Sequence, residues 1–251
     1  MIEVNRYKTG GENLPKEFNG FKIAHLSDFH NRRKNDEIIE RLKEEGPNII
    51  AITGDFIDSR KTNTQISLDF AKKLVSIATC YYVMGNHESR LTEIYPEFEK
   101  SLIEIGVTVL RNQVATIEKN GEAIQLIGID DPRLSYKKDN IKRARMVIKE
   151  QLSKIKCEGY KILMCHRPEA FLEYVDAKID LALTGHAHGG QIILPLIGGI
   201  IAPNQGLFPK YYKGMYSRDK TSMIVNRGLG NSLFPFRFNN RPEIIVIELE
   251  V

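Results

Sequence analysis

The sequence predicts an α/β protein, two mixed β-sheets in a sandwich flanked by helices, and three observations carry that expectation. Short apolar runs alternate with amphipathic stretches of helical spacing through the first hundred residues, a hairpin pattern interrupts the middle, and further apolar runs follow it. At 251 residues, 42% hydrophobic and 27% charged, the chain is long enough to bury a large core in one domain, residues 1–251, with an apolar insert or lid at about 189–217.

Taken in order, FKIAHLSD (Phe21–Asp28) reads as a strand, and NDEIIERLKEEG places Ile38, Ile39 and Leu42 on one helical face before Gly46. NIIAITGD, the amphipathic QISLDFAKKLVSI and CYYVMGN repeat that rhythm, so a βαβαβ unit with parallel strands is expected. After YPEFEKSLIEIG, TVLRN and VATIEKNGEAIQLIGID read as short strands with a hairpin turn at Asn120-Gly121. A helix is expected over about 140–155, where Ile141, Ala144, Ile148, Leu152 and Ile155 recur at helical spacing. YKILMCH, KIDLALTGH, SMIVNRG and PEIIVIELEV supply the remaining strands, the last at an edge or the centre of a sheet.

The net charge of +4 favours anionic ligands but falls short of a nucleic-acid signature. Cys80, Cys157 and Cys165 are odd in number and lie in or beside apolar segments, which makes them reduced core thiols. The first twenty residues hold neither a secretory signal nor a transmembrane segment, so the expected location is cytoplasmic.

Five apolar runs end in side chains that can bind a cation: Asp28 and His30, Asp55 and Asp58, Asn86 and His87, His166, and His186 and His188. Ligands gather at the carboxyl ends of parallel strands, so these groups are expected to converge. Residues two apart on an extended backbone point the same way, which would aim Asp28 with His30, and His186 with His188, at one place. The glycines before Asp55, Asn86 and His186 allow close backbone approach. Singly, each motif is more often the mark of a capped turn or a satisfied core histidine than of a metal site. Five of the six histidines occupying such places is the stronger sign; only His25, inside the first of these runs, is left as structural. Nitrogen and oxygen donors without thiolate favour Mn, Fe or Zn.

DFH (Asp28–His30), GDFID (Gly54–Asp58), GNHE (Gly85–Glu88), the later His166 and GHAH (Gly185–His188) together resemble the ordered signature of the calcineurin-like metallophosphoesterase superfamily. The resemblance spans Phe21 to about Gly190. It implies the metallo-dependent phosphatase fold and two divalent metal ions, the first held by Asp28, His30 and His188, the second by Asn86, His166 and His186, with Asp55 shared. Such a pair lowers the pKa of a bridging water and stabilises an in-line transition state. His87 is then the general acid or transition-state donor, Asp58 the group that orients it, with an N-cap as its bland alternative, and Glu88 a supporting residue. Ser59 stands where the protein phosphatase branch has a phosphate-binding arginine, with Arg60 one place later, so protein phosphatase activity is not expected.

From Gly189 to Pro209 the chain carries no charge, yet its prolines, glycines, Asn and Gln exclude a membrane span; a loop is expected. Tyr211 and Tyr212 with flanking lysines then suggest either a lid over a lipid-linked phosphate with peripheral membrane contact, or a packed hydrophobic insert. GHAHGGQ, the apolar stretch and RGLGNSLFPFRFNNRPEI resemble the bacterial YaeI/YkuE-type branch of predicted phosphodiesterases. Arg227, and Arg237 or Arg241, are candidates for a substrate anion, against the commoner fate of a salt bridge. Arg133 to Lys149 is a basic stretch that reads as a solvated helix face. The expected activity is therefore a metal-dependent phosphodiesterase acting on a small or lipid-linked phosphate ester. The alternatives are a nuclease of the same chemistry or a non-catalytic scaffold, although no ligand is missing.

Overall fold

The computed structural model describes residues 1–135, 140–231 and 237–251. Its strands are β1 (Glu3–Thr9), β2 (Lys22–Leu26), β3 (Ile49–Thr53), β4 (Thr79–Val83), β5 (Thr108–Val109), β6 (Gln113–Lys119), β7 (Glu122–Gly128), β8 (Lys161–Met164), β9 (Leu181–Thr184), β10 (Ile193–Leu194), β11 (Gly198–Gly199), β12 (Ile201–Ala202), β13 (Gly206–Leu207), β14 (Gly214–Arg218), β15 (Thr221–Val225) and β16 (Glu243–Leu249). The helices are α1 (Asp36–Glu45), α2 (Thr64–Val75), α3 (Tyr95–Ile105), α4 (Ile141–Lys154) and α5 (Phe171–Asp176).

Two six-stranded mixed sheets form, in the orders β1-β16-β2-β3-β4-β5 and β14-β15-β9-β8-β7-β6. In the first, β2, β3, β4 and β5 run parallel and β16 is antiparallel to β2; in the second, β7, β8, β9 and β15 run parallel. The apolar runs are continuous because both faces of each sheet are covered. In β3, Ile49 and Ala51 meet Ile162, Met164, Leu181 and Leu183 of the other sheet, whereas Ile50 and Ile52 join Ile38, Leu42, Phe70 and Leu102 of the helices. On the far side Leu163, Ala182 and Val225 pack with Ile148, Leu152, Phe171 and Tyr174 of α4 and α5. The layers are therefore helix, sheet, sheet, helix, the sandwich expected from the sequence.

Local signals agree with these elements. Asn63 caps α2 by accepting the Ile66 N–H, and Asn140 caps α4 by accepting that of Arg143. The hairpin turns at Asn120 and Gly121, both at positive φ. Arg145 pairs with Glu173 and Lys149 with Asp176, so part of the basic face of α4 is tied to α5. Residues 136–139 of that basic stretch, and 232–236 of the C-terminal motif, lie outside the described residues.

Three departures have physical reasons. The N-terminal strand β1 lacks an apolar run because it is an edge strand, half exposed and paired in parallel with β16 alone. That pairing sets Glu3 opposite Glu243, and Arg227 neutralises the two carboxylates, with Nη2 3.2 and 2.7 Å from them. Arg227 thus corrects the expectation of a substrate ligand: it is a buried structural cation. The insert after His188 is not a plain loop but two short ladders, β10 with β11 and β12 with β13. Tyr211 and Tyr212 are likewise spent on packing, Tyr211 edge-on against Phe171 and Tyr216, Tyr212 against Gly198 and Gly199.

Candidate dinuclear metal centre

The cation-binding side chains follow the carboxyl ends of β2, β3 and β4 in one sheet and β8 and β9 in the other, so the sandwich brings five loops to one end. Their convergence does not come from extended backbone. Asp28, His30, Asp55, His186 and His188 all sit at positive φ, between 46° and 64°. The two-residue spacing therefore works through left-handed turns, a correction to the strand-alternation expectation. Each such turn costs a residue with a Cβ roughly 1 kcal/mol or more, strain typical of functional sites. Gly54, at φ +85°, shows why glycine precedes the second aspartate: a Cβ there would lie 2.6 Å from the Gly85 backbone and 2.9 Å from His166 Nδ1.

Among the described residues three buried groups of donors form, two of them sharing Asp55. Asp28, His30, Asp55 and His188 make one and Asp55, His166 and His186 another; the third is His30, Asp58 and His87. Asp28 Oδ2 is occupied by the Ser27 hydroxyl (2.6 Å) and the His186 N–H (3.1 Å), while Oδ1 is buried without a hydrogen-bond partner, 3.2 Å from His188 Nε2. Asp55 divides its oxygens similarly. Oδ1 accepts the His87 N–H at 2.8 Å, leaving Oδ2 3.2 Å from His166 Nε2 and 3.7 Å from His30 Nε2, between the two groups.

One imidazole is oriented for ligation by its second nitrogen. His166 donates Nδ1–H to the Thr53 carbonyl at 2.7 Å, which presents Nε2 to the site. His186 Nδ1 lies 3.2 Å from it, and the Asn86 side-chain oxygen faces both, 2.7 Å from His186 Nδ1 and 3.3 Å from His166 Nε2. Asp28 Oδ1, buried beside the His188 ring nitrogen without a hydrogen-bond partner among the described residues, is the lone pair that a cation would satisfy. The donor set thus fits two divalent ions, with nitrogen and oxygen ligands and no thiolate.

Electrostatics follow from burial and proximity. Burial opposes ionisation of Asp28, but His188 and His30 hold it well below the usual carboxylate range. Burial pushes His188 down to about 3, and burial with the Arg167 charge pushes His186 well below the ordinary histidine value. His166, buried but beside Asp55, is raised to about 10. Clustered carboxylates that attract a proton will attract a cation in its place.

His87 and Asp58 lie side by side, Nδ1 to Oδ1 3.3 Å. Asp58 does not cap α2; its Oδ1 accepts the Arg60 N–H, and the Arg60 guanidinium grips both oxygens at 2.9 and 2.7 Å. Burial opposes protonation of His87, yet Asp55 and Asp58 raise its pKa above the ordinary value. The Ser59 N–H also points at Nδ1, 3.0 Å away, which favours a neutral ring protonated at Nε2. Either pull leaves a proton on Nε2, which faces Asp55 Oδ2 at 3.9 Å.

Several residues escaped the sequence reading. Arg167, wholly buried and paired to both oxygens of Asp131, directs Nη1 at His186 Nε2, 2.9 Å away. Its place after His166 was the only signal. Asn204 of the insert approaches the same nitrogen at 3.3 Å. Arg237, rather than Arg227, reaches the centre: Nη2 is 3.4 Å from His188 Nδ1 and donates to the Gly230 carbonyl, while Nε and Nη1 are buried without hydrogen-bond partners among the described residues.

Residues 21–190 match the calcineurin-like phosphoesterase family. The whole chain aligns at 34% identity with 86% of YkuE of Bacillus subtilis, an uncharacterized metallophosphoesterase. Over 91% of its length it is 28% identical to the phosphodiesterase YaeI of Escherichia coli, covering 82% of that protein. The crystal structure of TT1561 of Thermus thermophilus shares the fold, with a TM-score of 0.56 at 12% identity over 83% of this chain and 89% of that one. Family, fold and the converging donors agree: the chain belongs to the calcineurin-like phosphoesterase family and is a metal-dependent phosphoester hydrolase.

Proposed function

We propose that this enzyme is a phosphodiesterase acting on a small or lipid-linked phosphate ester. The observation that carries the reading is Asp55 Oδ2, free of hydrogen-bond donors other than the imidazoles and set between two buried ligand groups. Asp28 Oδ1, His30 Nε2 and His188 Nε2 would hold one ion; His166 Nε2, His186 Nδ1 and the Asn86 oxygen the other; Asp55 would serve both. Bound there, Mn, Fe or Zn ions would supply an activated water and positive charge opposite the phosphoryl oxygens.

The chain's own groups do the rest. His87 presents its Nε2 proton to the departing oxygen, and Asp58, held by Arg60, keeps the ring oriented. Arg237 offers its unpartnered Nε–H and Nη1–H to the phosphoryl oxygens, in the role the sequence suggests for Arg227.

The insert supports an amphiphilic substrate. Leu196, Ile197, Leu207 and Phe208 are each at least 60% exposed, and Asn204 of the same insert touches His186. Such a surface suits an acyl chain or the headgroup layer of a membrane contacted from outside. Among the described residues no helix is long and apolar enough to cross a membrane. The test is a panel run with Mn²⁺, Fe²⁺ or Zn²⁺: a nitrophenyl monoester, bis(4-nitrophenyl) phosphate, single-stranded DNA and phospholipid vesicles. Diester turnover with phospholipid turnover that falls in Leu196→Ser/Phe208→Ser is expected. DNA as the preferred substrate would favour the nuclease reading, and no turnover of anything the non-catalytic one.

A further inference from the structure

A cleft of about 400 Å³ opens beside the metal centre, lined by His30, Asn31, Arg33, Asp58, Lys61, Thr62, Asn63 and Ile66. Its walls are tied to each other. Asn31 donates to the Lys61 carbonyl at 2.9 Å and its oxygen accepts the Ser67 hydroxyl at 3.2 Å, while Thr62 Oγ1 donates to the Asp58 carbonyl at 3.0 Å.

Two charges stand outside this network. The Arg33 and Lys61 side chains are exposed at the cleft and form no ion pair or hydrogen bond among the described residues. Asp58, the one carboxylate in the lining, is already neutralised by Arg60. The cleft therefore carries a local excess of positive charge immediately next to a centre built to hold phosphate.

Its position gives it a direction. Asp58 touches His87, and His30 packs edge-on against the His87 ring at 4.6 Å between centroids. A group seated in the cleft thus lies against His30 of the donor group around Asp28 and beside the Asp58 carboxylate that meets His87 at Nδ1.

We propose that this cleft is a second anion subsite, in which Arg33 and Lys61 hold a phosphate carried by the leaving group, so that diphosphate-linked esters are preferred substrates. This rests on the phosphodiesterase reading. Water adds to the attacked phosphorus and releases a proton to solvent, the bond from that phosphorus to the bridging oxygen breaks, and the departing phosphate takes the His87 proton, which the ring regains from solvent. The guanidinium and ammonium act on binding, since the second phosphate is charged before and after the reaction; their loss is expected mainly in KM.

The test compares ADP-ribose, a diphosphate diester, with bis(4-nitrophenyl) phosphate, whose leaving group has no second phosphate, using protein loaded with Mn²⁺. Arg33→Ala/Lys61→Ala should lower kcat/KM on ADP-ribose by at least about tenfold, chiefly through KM, and on the nitrophenyl diester by less than about twofold. Arg33→Lys/Lys61→Arg should recover most of the loss. Calorimetric binding of methylenediphosphonate should weaken in the double alanine variant while that of inorganic phosphate stays unchanged. Equal losses on both substrates, unchanged ADP-ribose kinetics, or unchanged diphosphonate binding would overturn the subsite and leave the phosphodiesterase reading intact. Failure of the unmodified enzyme to hydrolyse the nitrophenyl diester would overturn both.

Discussion

The Glu88 carboxylate accepts the backbone N–H of Asp55 at 2.9 Å, joining the loop after β4 to the residue proposed to serve both metal positions. The same carboxylate accepts the N–H groups of Gly85 (2.8 Å) and Ile57 (2.9 Å), so one buried side chain fixes two ligand loops. Glu88→Ala would orphan three buried N–H groups, each worth about 1–3 kcal/mol. A fall in melting temperature of several degrees and metal affinity weakened about 10- to 100-fold are expected. Calorimetry and metal analysis of the variant would check this; unchanged values would remove Glu88 from the supporting role.

Asp55 faces both donor groups through one oxygen. Asp55→Asn retains an acceptor for the His87 N–H but loses the shared charge. Metal content should drop from two ions toward none, with turnover down by more than about 100-fold. Retention of two ions would show that Asp55 is not shared.

His87 contributes no donor atom to either of the two groups around Asp55. His87→Ala should therefore keep both ions and lose about 10²- to 10⁴-fold in kcat. Loss of metal with activity would make it a ligand instead of a proton donor.

His25, outside the donor groups, gives a pH prediction of its own. It is fully buried, with Nε2 2.8 Å from Thr53 Oγ1, and burial pushes its pKa down to about 3. A depressed folded-state pKa means that its contribution to stability is complete above the unfolded value, about 6.5, and is lost as pH falls toward 3. The slope reaches about 1.4 kcal/mol per pH unit at most. His25→Gln should flatten stability against pH over that window in denaturant melts; an unchanged slope would place the acid sensitivity elsewhere.

Much of this architecture is legible in the linear chain, for reasons visible at particular residues. Continuous apolar runs such as Ile49–Ile52 announce strands covered on both faces, and the spacing of Ile38, Ile39 and Leu42 announces a covering helix. Strand β1 was hidden because an edge strand needs few apolar side chains, and the ladders of the insert because two-residue strands leave no period to read.

What the sequence by itself determined is the fold class and the kinds of atom available at the ends of its apolar runs, since periodicity and donor chemistry are local properties. The tertiary structure decided which lone pairs meet. Only the packing of two sheets brings Asp55 Oδ2 to His166 Nε2 and His30 Nε2, turns Asp55 and His30 through left-handed backbone, and ties Arg227 to Glu3 and Glu243. Arg237, by contrast, reaches His188 and the Gly230 carbonyl through Nη2. Those outcomes depend on contacts between residues as distant in the chain as Asp28 and His186, 158 positions apart, which no local pattern encodes.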